Sequence, residues 1–429
     1  MKIGVIGAGF VGLTSACVLA EKGHQVFLID QDQDKLESIN RGIPPFYEEG
    51  LQELLSLLLK EKKLVISNWT NQDLKNLEIA LICVGTPSKL DGSINLSYVE
   101  SAIADCDEYL KNGQIIVIKS TVAPGTTRSL EATYQKGKSN LKFAMVPEFL
   151  REGTALMDSR MPDRIVIGSS NLEVSRKLGE IFEVPNRKII ETSTFSAESI
   201  KYFSNVFLAT CISISNELFD LINRDTDCIV HDVLEGWHLD RRFSSNTGGL
   251  ASITNYLVPG PGFGGSCFPK DVSAFKAAMN SQGLNSAIID AVIERNLLMP
   301  TMTSSWIAEQ VPLGEKIIVM GVSFKEGTDD LRESPAIAIV DQLISMGYQI
   351  EWLDKHLPHT ASGLPNSRIE KLADSESRFI ILTNHEKGYR VDLENLEKFE
   401  TDTPKTVLAI RYQSPIKGFN WLYPRQRGA

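Results

Sequence analysis

The chain has 429 residues, 42% hydrophobic and 23% charged, enough for two or three domains with full cores at roughly 100–200 residues each. Its net charge of −10 argues against a general hold on phosphate backbones or anionic lipid, so any anion site has to be built locally. Six cysteines without a CxxC pair or a histidine cluster suggest neither a disulfide framework nor a metal site.

The start, "MKIGVIGAGF", lacks the basic and long apolar regions of a secretion signal. The best apolar run, "NVFLATCISIS", is shorter than the ~18–20 residues of a membrane span. The expectation is a cytoplasmic protein with neither a nucleic-acid nor a membrane partner.

In chain order, "KIGVI" reads as a short strand, "GAGFVG" as a glycine turn, and "LTSACVLAEKG" as a helix closed by Gly23. "QVFLID" is a second strand ending in Asp30, eighteen positions beyond Gly12, close to the ~20 expected of a carboxylate that binds an adenosine ribose. Gly7 permits the turn, Gly9 lets the backbone approach a pyrophosphate, and Gly12 lets the helix pack closely. A carboxylate at Asp30 repels a 2′-phosphate, so NAD is expected over NADP, with Lys35 the nearby cation.

Strands at "IALICVGT", "QIIVIKST", "KFAMVPEF" and "DRIVIG" alternate with helical stretches such as "LSYVESAIADCDEYLKNG", the pattern of a parallel sheet covered on both faces. Ligands meet the carboxyl ends of such strands. That places Thr86, Thr121 and Glu148 at the cleft, although local capping is the plainer reading of the threonines and a solvated acid the alternative for Glu148.

Residues 194–224 contain no glycine or proline and read as one helix about 45 Å long. It is apolar around most of its circumference at "VFLATCISI", which suits burial against other helices or a second subunit. Lys201 and Asn205 share one face of it, where a solvated Lys201–Glu198 pair is the plainer alternative. Beyond residue 300 "EKIIVMGV", "SPAIAIVDQLISMG" and "QIEWLD" repeat the strand–helix–strand order. The turn between the first two carries Lys325 and Arg332 in place of a dinucleotide fingerprint.

"PGPGFGGSCFPKD" sets Cys267 among glycines and prolines, ahead of Lys270 and Asp271. Its glycines are expected to leave backbone amides uncovered, and Pro269 to start a helix whose positive end faces the sulfur. Such a setting enlarges the thiolate fraction of a cysteine. An NAD site beside an activated thiol suggests oxidation past the aldehyde, through a thioester that water cleaves.

Together with "GAGFVG", "CVGTP", "STVAPGTT", "PEFLREG", "AESIKYFSNVFLA" and "GVSFKEGTDDLRESPA" in the same order, this segment resembles the nucleotide-sugar 6-dehydrogenases over nearly the whole chain. The resemblance implies an α/β fold: two Rossmann-like doubly wound parallel-sheet domains joined by a long central helix and a small helical domain. The expected boundaries are an NAD-binding domain at 1–193, a central helical and dimerisation domain with the cysteine loop at 194–300, and a UDP-sugar-binding domain at 301–429.

It further implies a four-electron, NAD-dependent oxidation of a sugar C6 alcohol to a uronic acid. "CFPKD" is similar to the branch that acts on UDP-glucose, with GDP-mannose or a UDP-N-acetylhexosamine as alternatives. By the same resemblance Cys267 is the nucleophile, Lys201 and Asn205 stabilise the oxyanion, Asp271 supports the lysine and water, and Glu148 is the base with Thr121 placing the water. The cofactor is expected to meet Gly7, Gly9, Val11, Gly12, Asp30, Lys35, Val84, Thr86, Thr121, Glu152, Lys270 and Arg332.

The sugar nucleotide is expected at Glu148, Phe149, Leu150, Arg151, Glu152, Lys201, Asn205, Tyr256, Leu257, Val258, Pro259, Gly260, Phe263, Gly264, Lys325 and Arg411. Arg242, in a D-x-R setting, would reach a partner subunit's site in a homodimer formed through the central helix. The stretch "SSNTGGLASITNYL" is longer than the family's usual connection there. A single-hydride dehydrogenase and a non-catalytic NAD and nucleotide sensor are the competing functions.

Overall fold

The computed structural model describes every residue except 111–112, 135–139, 223–226, 246–248, 358–363, 366, 373–374, 384–388, 390–391, 394–404, 412–418 and 424–429. Its contacts divide the chain into two units, Met1–Ser204 with Ser273–Asn285, and Asn205–Val272 with Ser286–Ala429.

The first unit is built on eight strands: β1 (Lys2–Ile6), β2 (Gln25–Ile29), β3 (Leu64–Ser67), β4 (Ile79–Ile82), β5 (Ile115–Ile118), β6 (Lys142–Met145), β7 (Arg164–Gly168) and β8 (Lys188–Thr192). They lie in the order β3-β2-β1-β4-β5-β6-β7-β8. Between them run α1 (Phe10–Glu21), α2 (Gln33–Asn40), α3 (Leu51–Lys60), α4 (Ser97–Tyr109), α5 (Thr126–Tyr134), α6 (Ala155–Arg160) and α7 (Leu172–Phe182).

Successive strand residues enter opposite cores: Val26 and Leu28 join one cluster, Phe27 and Ile29 the other. Both faces of the sheet are therefore covered, as near-continuous apolar strands require. The strand order reverses between β1 and β4, which puts the glycine turn after β1 at the switch point where such sheets take ligands.

The sheet is not wholly parallel, contrary to the strand–helix alternation. β7 pairs antiparallel with β6 through a single residue pair, Met145 opposite Gly168, and β8 runs parallel to β7. Gly168 makes this junction possible, because a Cβ there would stand 2.7 Å from the Ala197 side chain and 2.8 Å from the Ser193 carbonyl. The end of the "LSYVESAIADCDEYLKNG" helix, at 111–112, lies outside the described residues.

α8 (Thr194–Ile222) carries 29 residues, about 43 Å at 1.5 Å per residue; Arg224, at the end of the expected helix, lies outside the described residues. By length and composition α8 could cross a membrane, which its short central apolar run does not suggest by itself. Its buried polar side chains, however, are bound to other parts of the protein: Glu198, Lys201 and Asn205 each have side-chain or backbone partners. The unit boundary falls within α8.

The second unit adds α9 (Val230–His238), α10 (Phe268–Ser281, shared with the first), α11 (Ala287–Gln310) and α12 (Pro335–Ser345). Its sheet contains β9 (Lys316–Met320), β10 (Gln349–Leu353), β11 (Phe379–Leu382), β12 (Thr406–Ala409) and β13 (Asn420–Leu422), all parallel, in the order β10-β9-β11-β12-β13. Its strands also alternate between two cores. Asp354, after β10, accepts the amides of Val322 and Ser323 in the turn after β9, as Asp30, after β2, accepts the Ala8 amide in the glycine turn after β1. The unit is a second Rossmann-like sheet, and the fold is α/β throughout.

Candidate active site

The glycine turn of the first unit is shaped for a dinucleotide. A Cβ at Gly12 would lie 1.8 Å from the Gly7 carbonyl oxygen, so α1 can approach β1 only with glycine there. At Gly9, the N-cap of α1, a Cβ would meet nothing within 4 Å. That open side beside a helix N-terminus offers the backbone donors and positive potential that a pyrophosphate needs.

Asp30 accepts the Ala8 amide at 2.6 Å and pairs with Lys35 at 3.2 Å, so the acid and the turn are fixed together. Val11 lies in the first turn of α1 and is half-buried. Val84 and the buried Thr86 follow β4, and the Ser120 hydroxyl donates to the Val84 carbonyl at 2.7 Å, joining the loops after β4 and β5. Thr121, next in line, is half-buried.

The loop after β6 carries Glu148. Glu148 and Lys201, both buried, form an ion pair at 2.7 Å. Burial pushes the Glu148 carboxyl upward, but Lys201, the Leu150 amide and Lys119 outweigh it and hold the group below the usual carboxylate range. Lys119, at the end of β5, is itself lowered, chiefly by burial.

The Phe149 ring packs under two cations, the Arg164 guanidinium at 3.9 Å and the Lys201 ammonium at 5.8 Å. Arg151 is exposed and paired with Asp158, while Glu152 is half-buried. Glu198 does not pair with Lys201 on a solvated face. It is fully buried and accepts the amides of Gly125 and Thr127. Glu48 does the same for Gly153 and Leu156.

The second unit holds the thiol. Cys267 is half-buried immediately before α10, and its carbonyl accepts the Asp271 amide at 2.8 Å, the first turn of that helix. Pro269 is therefore the second helical residue, after Phe268. Asp271 has no exposed surface and is shared by the Asn205 amide at 2.6 Å and the Lys270 ammonium at 2.5 Å. Lys270 is thus turned onto the carboxylate.

The loop's glycines serve packing more than exposure. A Cβ at Gly264 would stand 2.1 Å from the Glu333 carbonyl, and one at Gly265, where φ is +80°, 2.6 Å from the Phe324 ring. The Gly265 amide donates to the Arg332 carbonyl, the Gly260 amide to Asn216 and the Phe263 amide to Asn296. The expectation of uncovered amides fails at these three positions, because residues far along the chain occupy them.

Arg411 runs along Gly260 and donates to the Asn255 carbonyl at 2.9 Å. Tyr256 ends a short 3-10 turn at Ser252–Tyr256, and the Leu257 carbonyl is 3.0 Å from the His238 ring; Val258 and Pro259 are half-buried beyond it. Lys325 is half-buried, whereas Arg332 is exposed and paired with Asp330. Arg242 is also exposed and paired with Asp240. Of the stretch expected to be longer than usual, 246–248 lie outside the described residues.

Three family models match the chain in succession: the NAD binding domain of the UDP-glucose/GDP-mannose dehydrogenase family over residues 1–185, its central domain over 195–297 and its UDP binding domain over 318–412. The chain belongs to the UDP-glucose/GDP-mannose dehydrogenase family.

Among its relatives in this family, a UDP-glucose 6-dehydrogenase of Rickettsia bellii is 35% identical over 410 residues, 92% of each chain. One of Pseudomonas aeruginosa is 33% identical over 401 residues, 91% of this chain and 84% of its own. The solved structure of a UDP-glucose dehydrogenase from Pyrobaculum islandicum superposes with a TM-score of 0.84 at 31% identity, covering 98% of this chain and 96% of that one. The chain is an NAD-dependent nucleotide-sugar dehydrogenase, and the open turn at Gly9 with Asp30 beside it fits the cofactor.

Some residues that hold the candidate segments in place carry no local signal. Glu48, Arg164, Glu198, Asn216 and Asn296 act on partners between 15 and 108 positions away. Two of them lie in quoted segments, Arg164 in "DRIVIG" and Glu198 in "AESIKYFSNVFLA", and neither segment shows the partner that the structure gives it.

Proposed function

We propose that the protein oxidises UDP-glucose to UDP-glucuronate in two steps through a covalent bond to Cys267. The observation that carries this reading is a half-buried thiol at the head of α10, one helical turn from the buried Asp271–Asn205–Lys270 cluster, in a chain whose named relatives are UDP-glucose 6-dehydrogenases.

In the balance, one RCH2OH, two NAD+ and one water give RCOO−, two NADH and three protons. Gly7, Gly9, Val11, Gly12, Asp30, Lys35, Val84, Thr86, Thr121, Glu152, Lys270 and Arg332 would hold NAD, which would supply the hydride acceptor for each half of the reaction. After the C6 alcohol has become an aldehyde, Cys267 adds to it as the thiolate, an anion the N-terminus of α10 favours. Loss of the second hydride leaves a thioester, and water cleaves the carbon–sulfur bond and returns the thiol.

Lys201 and Asn205 supply donors to the developing oxyanion. Glu148, kept anionic by Lys201, accepts a proton with Thr121 placing the water, and Asp271 orients the Asn205 amide. The sugar nucleotide would rest on Phe149 to Glu152, Tyr256 to Gly260, Phe263, Gly264, Lys325 and Arg411.

The three-part division at 1–193, 194–300 and 301–429 accompanies this reading. So does a cytoplasmic homodimer through α8, where Phe203, Phe207, Ile214, Leu218 and Leu221 expose an apolar stripe at helical spacing. Arg242, whose side chain is 85% exposed, would then enter the partner's sugar site.

Incubation with NAD and a panel of nucleotide sugars tests the substrate. NADH formation with UDP-glucose at a kcat/KM at least tenfold above GDP-mannose and the UDP-N-acetylhexosamines is expected. A reversed order would move the assignment to those sugars, and binding without NADH formation would make the protein a sensor.

A further inference from the structure

The carboxylate of Glu198 lies on α8, yet its two oxygens accept backbone amides from another element: Gly125 at 2.5 Å and Thr127 at 2.7 Å. The residue has no exposed surface. A buried carboxylate carries a desolvation cost of several kcal/mol, whereas a serine or asparagine beside Thr126 could cap α5 without it. What the remote carboxylate adds is a tie between α8 and the loop after β5.

That loop holds Thr121 between two anchors. On one side the Ser120 hydroxyl donates to the Val84 carbonyl. On the other side Glu198 holds the amides at the start of α5. Three residues further along α8, Lys201 holds Glu148 in the loop after β6. One face of one helix thus fixes both loops, a carboxylate gripping the first and an ammonium gripping the second.

We propose that Glu198 is a positioning residue: by clamping Gly125 and Thr127 to α8 it sets Thr121 against Glu148 for the hydrolytic half of the reaction. This inference rests on the reading of Thr121 as the residue that places the water.

The test uses full-length Glu198→Gln and Glu198→Asp. Glutamine keeps the size but offers one acceptor oxygen for two amides; aspartate keeps the charge but is one methylene short. With Glu198→Gln, stopped-flow NADH formation in the first turnover is expected within about twofold of the parent. Steady-state kcat should fall at least tenfold, KM for UDP-glucose should fall with it so that kcat/KM changes less than about twofold, and acyl-enzyme should accumulate at Cys267. Glu198→Asp should recover part of kcat.

Equal loss in both halves of the reaction, or an unchanged kcat, would overturn the proposal. If Glu198→Gln does not fold, the same comparison with Glu198→Asp decides. Hydrogen exchange across residues 120–127, which requires no turnover, should quicken in both variants, and its failure to do so would remove the clamp. A parent enzyme that releases one NADH per sugar would refute the covalent reading while leaving the exchange result intact.

Discussion

The Lys201 ammonium lies 2.7 Å from a Glu148 carboxylate oxygen, with both side chains buried. Each charge depends on the other, because an unpaired ion at this depth would carry the full desolvation penalty. Replacing Lys201 with methionine should therefore destabilise the fold by about 3–5 kcal/mol and lower kcat by about a hundredfold or more through loss of an oxyanion donor. Thermal melts of Lys201→Met and of Lys201→Met with Glu148→Gln check this. The second change should restore stability but not activity.

The same pair fixes a pH dependence. The Glu148 carboxyl is depressed from its usual 4.5 in the folded chain, so its stabilisation is complete above that value and is lost as pH falls through the lower folded value. The gap in melting temperature between the parent and Glu148→Gln should be widest at neutral pH and close in acid. Glu198 and Glu48 are raised by burial and act in the opposite sense, their ionisation weighing against the fold as pH rises. A gap for Glu148→Gln that widens in acid would contradict the assignment.

Gly264→Ala should misplace the thiol. Its Cβ would fall 2.1 Å from the Glu333 carbonyl, a backbone atom that cannot move aside as a flexible side chain would, so the loop must shift. A fall in kcat of at least about tenfold is expected, with Tm lowered and NAD binding, measured by fluorescence quenching, unchanged. Gly12→Ala, whose Cβ would meet the Gly7 carbonyl at 1.8 Å, should do the reverse and raise the Kd for NAD.

The first sheet and its glycine turn were legible because strand, turn, helix and acid are all local, from Lys2 to Asp30. The direction of β7 was not, since it depends on one residue pair, Met145 opposite Gly168, and not on any run of sequence. The candidate site residues stand in motifs, but the partners of Glu148, Asn205 and Gly264 are hidden by distance. Lys201 had two acids within quoted motifs to choose from, and it took the one 53 positions away rather than the one on its own helix. The glycines around Cys267 suggested an open backbone because Glu333 and Phe324, which they pack against, lie some 60–70 residues further on.

The α8 stripe makes the oligomer testable. Phe207→Asp with Leu218→Asp introduces two charges on its exposed face, where a buried unpaired ion cannot be tolerated in an interface. Sedimentation velocity should show a dimer for the parent and a monomer for the double variant. A parent that sediments as a monomer at micromolar concentration would contradict the dimer.

Covalent oxidation at Cys267 is tested most directly by counting NADH per sugar while reading the mass of the rapidly quenched protein. Two NADH per UDP-glucose, and an added glucuronyl-nucleotide mass mapped to the peptide containing Cys267 and absent from Cys267→Ser, are expected. One NADH per sugar, or undiminished uronate formation by Cys267→Ser, would contradict it.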